Sequence, residues 1–343
     1  MANANWYRDL FRIDTSQVSA LLFARAAIAV GVPLLGFALA GHRSAAVVAG
    51  ATALFVSLSD IGRTRRERIG TMTLTTIAIL VGGFVGDKYG GTSLWDEALI
   101  LTSAFIAGWV SNSHPAIATV ARFAALATAA GVGMQVTDPV AVAAVFVGGA
   151  CAMGVAYAIW KIHDIPPDEE FMDWTVGVRR AFQSAEAGLW FAICYAGACA
   201  FSLFVAQKLG VHNPDWATFA VIMVMRPEGM VSLKQVVRYM VGTIAGVPVA
   251  TLLAQLSSNY MLAQIAFAAI VAAFGRLGFA LNAALGYMAF TVFVILVVEL
   301  AVESSVPPFT LVLERLYDVS IGCLIALVGT LIAGIKSRHH TSR

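Results

Sequence analysis

Three arginines stand inside apolar runs: Arg25 in "SALLFARAAIAVGV", Arg122 in "HPAIATVARFAALATAAGVG" and Arg315 in "LERLYDVSIGCLIALVG". A charge at the centre of a hydrocarbon layer costs at least about 2.5–3.5 kcal/mol on insertion scales. Such a residue faces a cavity, finds a partner or snorkels. The chemistry it offers is anion recognition, because the planar guanidinium fork matches a carboxylate. Arg122 lies among small residues suited to close helix packing and is a substrate-binding candidate. Arg25 is a second, although it lies only about 10 Å from the end of its run at 1.5 Å per residue, within snorkelling reach. Arg315 and Asp318 share one helical face three residues apart, with Glu314 beside them and Glu299 and Glu303 closing the preceding run. They form either a proton-responsive latch, in which protonating a carboxylate frees Arg315, or a static ion pair between helices.

Other candidates sit at the ends of apolar runs. His114, in "WVSNSHPAIA", titrates near neutral pH when unperturbed; it is either a proton-coupling residue or part of a turn capped by Asn112 and Ser113. Trp216 and Arg226 bound a run too short to cross a bilayer, Pro227 follows, and Arg238 stands in the next basic strip. All three are substrate-binding candidates. Asp60 and Glu228, each before a basic helix start, read as N-terminal caps favoured by the helix dipole.

The elements that must position these residues follow from composition. The 343 residues are 59% hydrophobic and 12% charged, with mean hydropathy +0.81; soluble domains carry about 25% charged residues. The chain therefore reads as an all-α polytopic membrane protein. Runs near 19–40, 44–58, 70–87, 95–111, 115–135 and 139–160, then 186–209, 214–226, 238–257, 260–275, 278–301 and 314–335, make twelve transmembrane helices. The start, "MANANWYRDLFRID", lacks the apolar core of a signal peptide; Trp6, Leu10 and Ile13 at helical spacing read as an interfacial helix. Four cysteines inside apolar runs read as small reduced core residues. A net charge of +2 gives no footing for nucleic acid. There is no phosphate-binding Gly-x-x-x-x-Gly-Lys-Ser/Thr loop, no metal-ligand spacing and no catalytic constellation, so neither a cofactor nor an enzymatic activity is expected.

A shift of about 168 residues superposes the two halves. Asp60 falls opposite Glu228, Arg66 opposite Lys234 and His114 opposite Asn282. Six spans per half is an even number, so both halves insert the same way up, as two parallel six-helix repeats: residues 1–160, a cytoplasmic linker over 161–180 with Pro166-Pro167 and an acidic run, and residues 181–343. Short runs in corresponding positions, 44–58 and 214–226, are the expected transport path. The repeats pack on each other either within one chain or across the subunits of a homo-oligomer.

The stretch "NPDWATFAVIMVMRPEGMVSLKQVVRYMVGTIAG" (213–246) and the closing "LERLYDVSIGCLIALVGTLIAG" (313–334) resemble the fusaric acid resistance (FUSC) family of bacterial inner-membrane proteins, relatives of the aromatic acid exporters. The first half matches through "SLSDIGRTRRERIGTMTLT" and has "FVGGACAMG" where an Arg-x-x-Asp would stand. The familiar exporters carry soluble cytoplasmic regions without a counterpart in these residues. The resemblance implies a secondary exporter of small organic anions, chiefly aromatic carboxylic acids, with protons as a candidate coupling ion. Its partners would be the anion and the lipid bilayer. An anion channel like the plant aluminium-activated malate channels and a non-transporting envelope scaffold are the alternatives.

With the N-terminus cytoplasmic, sixteen of the 22 lysines and arginines fall in cytoplasmic segments, three in outer loops and three inside spans, which the positive-inside rule requires. A reporter fused after Lys336 is expected to be active only when cytoplasmic; signal from a periplasm-dependent reporter there would overturn this topology.

Overall fold

The computed structural model describes residues 10, 12–13, 20–62, 64–89, 93–133, 138–162, 179, 185–211, 213–302 and 308–340. Among them are twelve α-helices and no strand. They are α1 (Ala20–Leu39), α2 (Arg43–Leu58), α3 (Arg65–Tyr89), α4 (Ser93–Trp109), α5 (Pro115–Gly133) and α6 (Pro139–Ile162). The second half holds α7 (Ala185–Lys208), α8 (Asp215–Val224), α9 (Gly229–Ser257), α10 (Met261–Leu281), α11 (Ala283–Val302) and α12 (Pro308–His340). Each expected span has its helix, but α3 and α9 start earlier than hydropathy indicates. Arg65, Arg66, Arg68, Lys234 and Arg238 are helical residues, so these basic residues lie in the opening turns of α3 and α9 and not in loops. Arg276, expected between spans, lies inside α10. Linker residues 163–178, Trp6 and Glu303 lie outside the described residues.

Nine of these helices are long and apolar enough to cross a membrane; α2 and α8 are the shorter apolar ones. The ten residues of α8 rise only about 15 Å, half of a hydrocarbon layer about 30 Å thick. Pro227 explains where it stops, because a proline disfavours helical geometry in the residue before it. Met225 is already extended, at φ −73° and ψ 129°. The side chains that face outward on the bundle, such as Ile28, Val32, Val81, Leu324, Val328 and Leu331, are exposed and apolar. That is the surface a bilayer covers, and the protein is a multi-pass membrane protein.

The helices pack in matched pairs. α3 packs on α5 as α9 does on α11, α2 on α6 as α8 on α12, and α1 on α6 as α7 on α12. Contacts between the halves follow the same pattern: α4 lies on α7 and α10 on α1, while α5 meets α8 and α11 meets α2. The halves thus interlock within a single chain. None of the four cysteines is in a disulfide.

Close approach depends on missing side chains. A Cβ at Gly322 on α12 would overlap the carbonyl oxygen of Ala217 on α8. Backbone cannot swing aside as a side chain can, so Gly322→Ala must push the two helices apart. Its expected cost is about 1–3 kcal/mol, read as a lowered unfolding midpoint in detergent; an unchanged midpoint would show that α8 floats freely on α12.

Candidate functional site

Where α8 stops, its last carbonyls have no helical partner. Three side chains take them up. Tyr195 Oη on α7 donates to the carbonyl of Ile222 (3.1 Å), Tyr287 Oη on α11 to that of Met223 (3.4 Å), and Arg226 Nη1 to that of Met225 (2.9 Å). Ser232, in the first turn of α9, fixes the break from the other side. Its hydroxyl accepts from the Arg226 amide (2.6 Å) and donates to the Arg226 carbonyl (2.8 Å). Arg226 is therefore held at the tip of a broken helix, and Tyr287 is braced by Gln235 at 3.3 Å.

Arg122 on α5 comes to the same place. It lies against the Tyr195 hydroxyl and within electrostatic range of Arg226 and Tyr287. Two guanidiniums thus converge, and the carboxylate that acts on Arg226 is Glu228, which is exposed. Like charges brought together favour an anion between them. One helical turn along α5 from Arg122, about 6 Å further by rise, Leu126 lines a cavity of about 140 Å³. Its other walls include Phe55, Trp216, Phe219, Phe290 and Phe293, from α2, α8 and α11. Apolar cavities of about 150 Å³ hold benzene. Arg122, Leu126 and Ala130 follow at i, i+4 and i+8 on one stripe of α5, so the backbone of Arg122 lies one turn from a residue that lines a ring-sized, mostly apolar space.

Arg315 stands behind the cavity wall. Its guanidinium carbon lies 5.0 Å from the centre of the Trp216 ring and 6.0 Å from that of Phe290, and Nη2 donates to Tyr239 Oη at 3.0 Å. Tyr239 meets Tyr287 edge-on, with ring centres 4.5 Å apart, which connects this group to the guanidinium pair. Asp318 is fully buried nearby, but no ion pair joins it to Arg315 in this conformation, contrary to the static pair the spacing allows. Glu299 is not brought in either: the groups acting on Asp318 are Arg315, Asp215 and Glu314.

The remaining sequence candidates are placed elsewhere. Arg25 neither snorkels nor reaches the cavity. It is buried, with Nη1 on Asp60 Oδ2, and Arg68 Nε lies 2.9 Å from Asp60 Oδ1. Both guanidiniums lie on Trp160, at 5.5 and 5.3 Å from a ring centre, and Arg276 of α10 is within electrostatic range of Asp60. Asp60 is thus a buried counter-ion and not a helix cap, and Glu228 makes no capping hydrogen bond with its side chain. Arg238 turns to the chain's own N-terminal segment, Nε donating to the Leu10 carbonyl at 3.4 Å, and Leu10 is buried in protein. His114 is itself the cap: its Nδ1 accepts the Ala116 amide at 3.2 Å while Nε2 lies 3.5 Å from Glu67. Asn282, its counterpart, accepts the Ala284 amide at 2.8 Å. Sequence reasoning missed Tyr195, Tyr239, Tyr287 and Ser232. The available signal was a hydroxyl in an apolar run, since a buried tyrosine seeks a partner for its polar end.

Residues 198–329 match a family model described as fusaric acid resistance protein-like. The matched stretch runs from α7 into α12 and carries Trp216, Arg226, Tyr239, Tyr287, Arg315 and Asp318. Comparisons with curated proteins and with solved structures gave no match. The ion network of the first half lies outside the matched stretch, and its weight can be measured alone. Asp60→Asn leaves the guanidiniums of Arg25 and Arg68 without their counter-charge, at an expected cost of about 3–5 kcal/mol. Unfolding of the purified variant in detergent reads this directly, and a loss below about 1 kcal/mol would mean that water reaches the network.

Proposed function

We propose, from the premise that residues 198–329 are a fusaric acid resistance protein-like unit, that this protein is a secondary transporter exporting small aromatic carboxylates across the bacterial inner membrane. The observation that carries the reading is the pairing of two neighbouring guanidiniums, Arg122 and Arg226, with a ring-sized cavity lined by Leu126, one turn along α5 from Arg122. The ring of the substrate occupies the space among Phe55, Phe219, Phe290 and Phe293. Its carboxylate meets Arg122 and Arg226, which are half-buried, so their hydrogen bonds to an anion are stronger than in water. Tyr195 holds Arg122 and the Met225 carbonyl holds Arg226, so little ordering remains to be done on binding.

The matched helix contacts support two parallel six-helix repeats around this cavity. Positions 168 apart line it together: Val48 with Trp216, Ala51 with Phe219, Leu126 with Val294. A cavity on such an axis is where alternating access acts, one repeat rocking against the other about the bound substrate. The short helices α2 and α8 meet the other repeat through α11 and α5 and supply the moving walls.

Uptake of labelled benzoate into inside-out vesicles, with and without an imposed pH gradient, tests the reading. Gradient-dependent accumulation is expected, and Arg122→Gln should lower it about tenfold or more, the loss of a charge-assisted contact. Rapid equilibration without accumulation would identify a channel, and no flux above empty vesicles for a panel of single-ring acids would remove the substrate assignment.

A further inference from the structure

Arg315 carries a charge that no ion pair among the described residues answers. Its side chain is fully buried, and Nη2 is hydrogen-bonded only to a neutral phenol, Tyr239. Nε and Nη1 have no partner. The faces of Trp216 and Phe290 attract the cation but do not neutralise it. One turn along the same helix, Asp318 is equally buried and both of its carboxyl oxygens lack a partner. A buried cation and a buried carboxyl this close, each incomplete, would pair if nothing opposed it.

What faces Asp318 explains why it does not. On α12 its electrostatic neighbours are Arg315 and Glu314, and α8 adds Asp215. Cys323 lies on the same helix, within range of Arg315. From α9 comes Tyr239, and from α11 the Phe290 ring beside Arg315, with Glu299 further toward the outer end. α7 has no charged residue between Gly188 and Gln207. Three acids thus stand around one buried guanidinium, and none is bonded to it. With a proton, Asp318 is a neutral side chain with no call on Arg315. Without one, it is a carboxylate within a helical turn of a free guanidinium.

We propose that Arg315 is a second anion-binding station, for a carboxylate, which Asp318 opens when protonated and closes when it is not. The station lies on the far side of the Trp216 indole from the cavity, so an anion reaches it by displacing that ring from the guanidinium. While Asp318 holds its proton, the two partnerless nitrogens of Arg315 take the incoming carboxylate. When the proton leaves to water, the Asp318 carboxylate takes the guanidinium itself and the anion is expelled. The sign of the pH effect follows: the anion binds more tightly as pH falls, for as long as the anion itself stays ionised. The inference rests on the aromatic carboxylate reading for its natural ligand, but not for the station's chemistry, which requires only a carboxylate.

The test is calorimetric titration of the full chain in detergent with two probes, benzoate and formate, at about pH 6 and about pH 8.5, above the usual carboxylic acid range. The wild type is expected to bind each probe about tenfold or more tightly at the lower pH. Asp318→Asn should keep the low-pH affinity at both values, and Arg315→Gln should lose the pH-sensitive binding. Should that variant fail to fold, Arg315→Lys, which keeps the charge without the planar fork, should weaken formate binding at the lower pH. An Asp318→Asn protein that keeps the wild-type pH dependence overturns the proposal. So does pH-dependent binding of benzoate and formate that survives the change at Arg315; if that binding is lost in Arg122→Gln instead, the transport reading still stands. Formate binding that depends on Arg315 and on pH, without any benzoate binding, supports the station and sinks the aromatic assignment instead.

Discussion

A helix that ends early leaves carbonyl groups without helical partners, and the arrangement at the centre of this protein follows from meeting that demand. α8 ends at Val224 because Pro227 will not let it continue. The phenols of Tyr195 and Tyr287 and the guanidinium of Arg226 satisfy the carbonyls left behind. Each comes from a different part of the chain: α7, α11 and the break itself. Bringing them together fixes the positions of those helices around α8. The side chains gathered there thus answer a backbone requirement, and the end of α8 is braced from three sides.

The buried arginines show three different answers to one electrostatic problem. Arg25 is answered by Asp60, a carboxylate that also receives Arg68. Such a network is a fastening, since all of its charge is used internally. Arg122 and Arg226 repel each other, with an exposed glutamate as the nearby acid, and Arg315 lies on a phenol and π faces with Asp318, Asp215 and Glu314 near it but unbonded to it. Desolvating a cation without a counter-ion is costly, and for these groups no ion pair among the described residues meets that cost as Asp60 does for Arg25. The contrast between the answered and the unanswered charges, more than the presence of charge, is what the proposed site rests on.

The sequence made the helices legible because hydropathy and length are enough to place them, and the break after α8 because Arg226-Pro227 names it. The charge of the basic strips was legible, but their helical state was not: positive residues at a membrane rim look alike in loop and helix. The partner of Arg25 was hidden because depth along a helix says how far a side chain is from water, not which neighbour lies 35 residues away. His114 and Asn282 were visible as a pair under the repeat, and both turn out to accept the amide two residues on, starting α5 and α11 alike. Tyr195, Tyr239 and Tyr287 were counted among apolar residues, and only the geometry shows their hydroxyls at work.

The two halves share positions but not chemistry, and the difference has a direction. Val48 and Trp216 correspond, as do Ala51 and Phe219, and in each pair the second half supplies the aromatic wall. Arg122 corresponds to Phe290, so there the charge comes from the first half and the ring from the second. At the basic strips, Asp60 is buried and answers two arginines, whereas Glu228 stays in the open. A site built on a two-fold axis from identical halves would present the same face twice and could not tell the ring end of a ligand from its carboxylate end. Four aromatic walls from the second half against Phe55 from the first, with the ion network in the first, break that symmetry. Helices that pack in matched pairs thus present different chemistry from the two halves, and the two sides of the cavity differ.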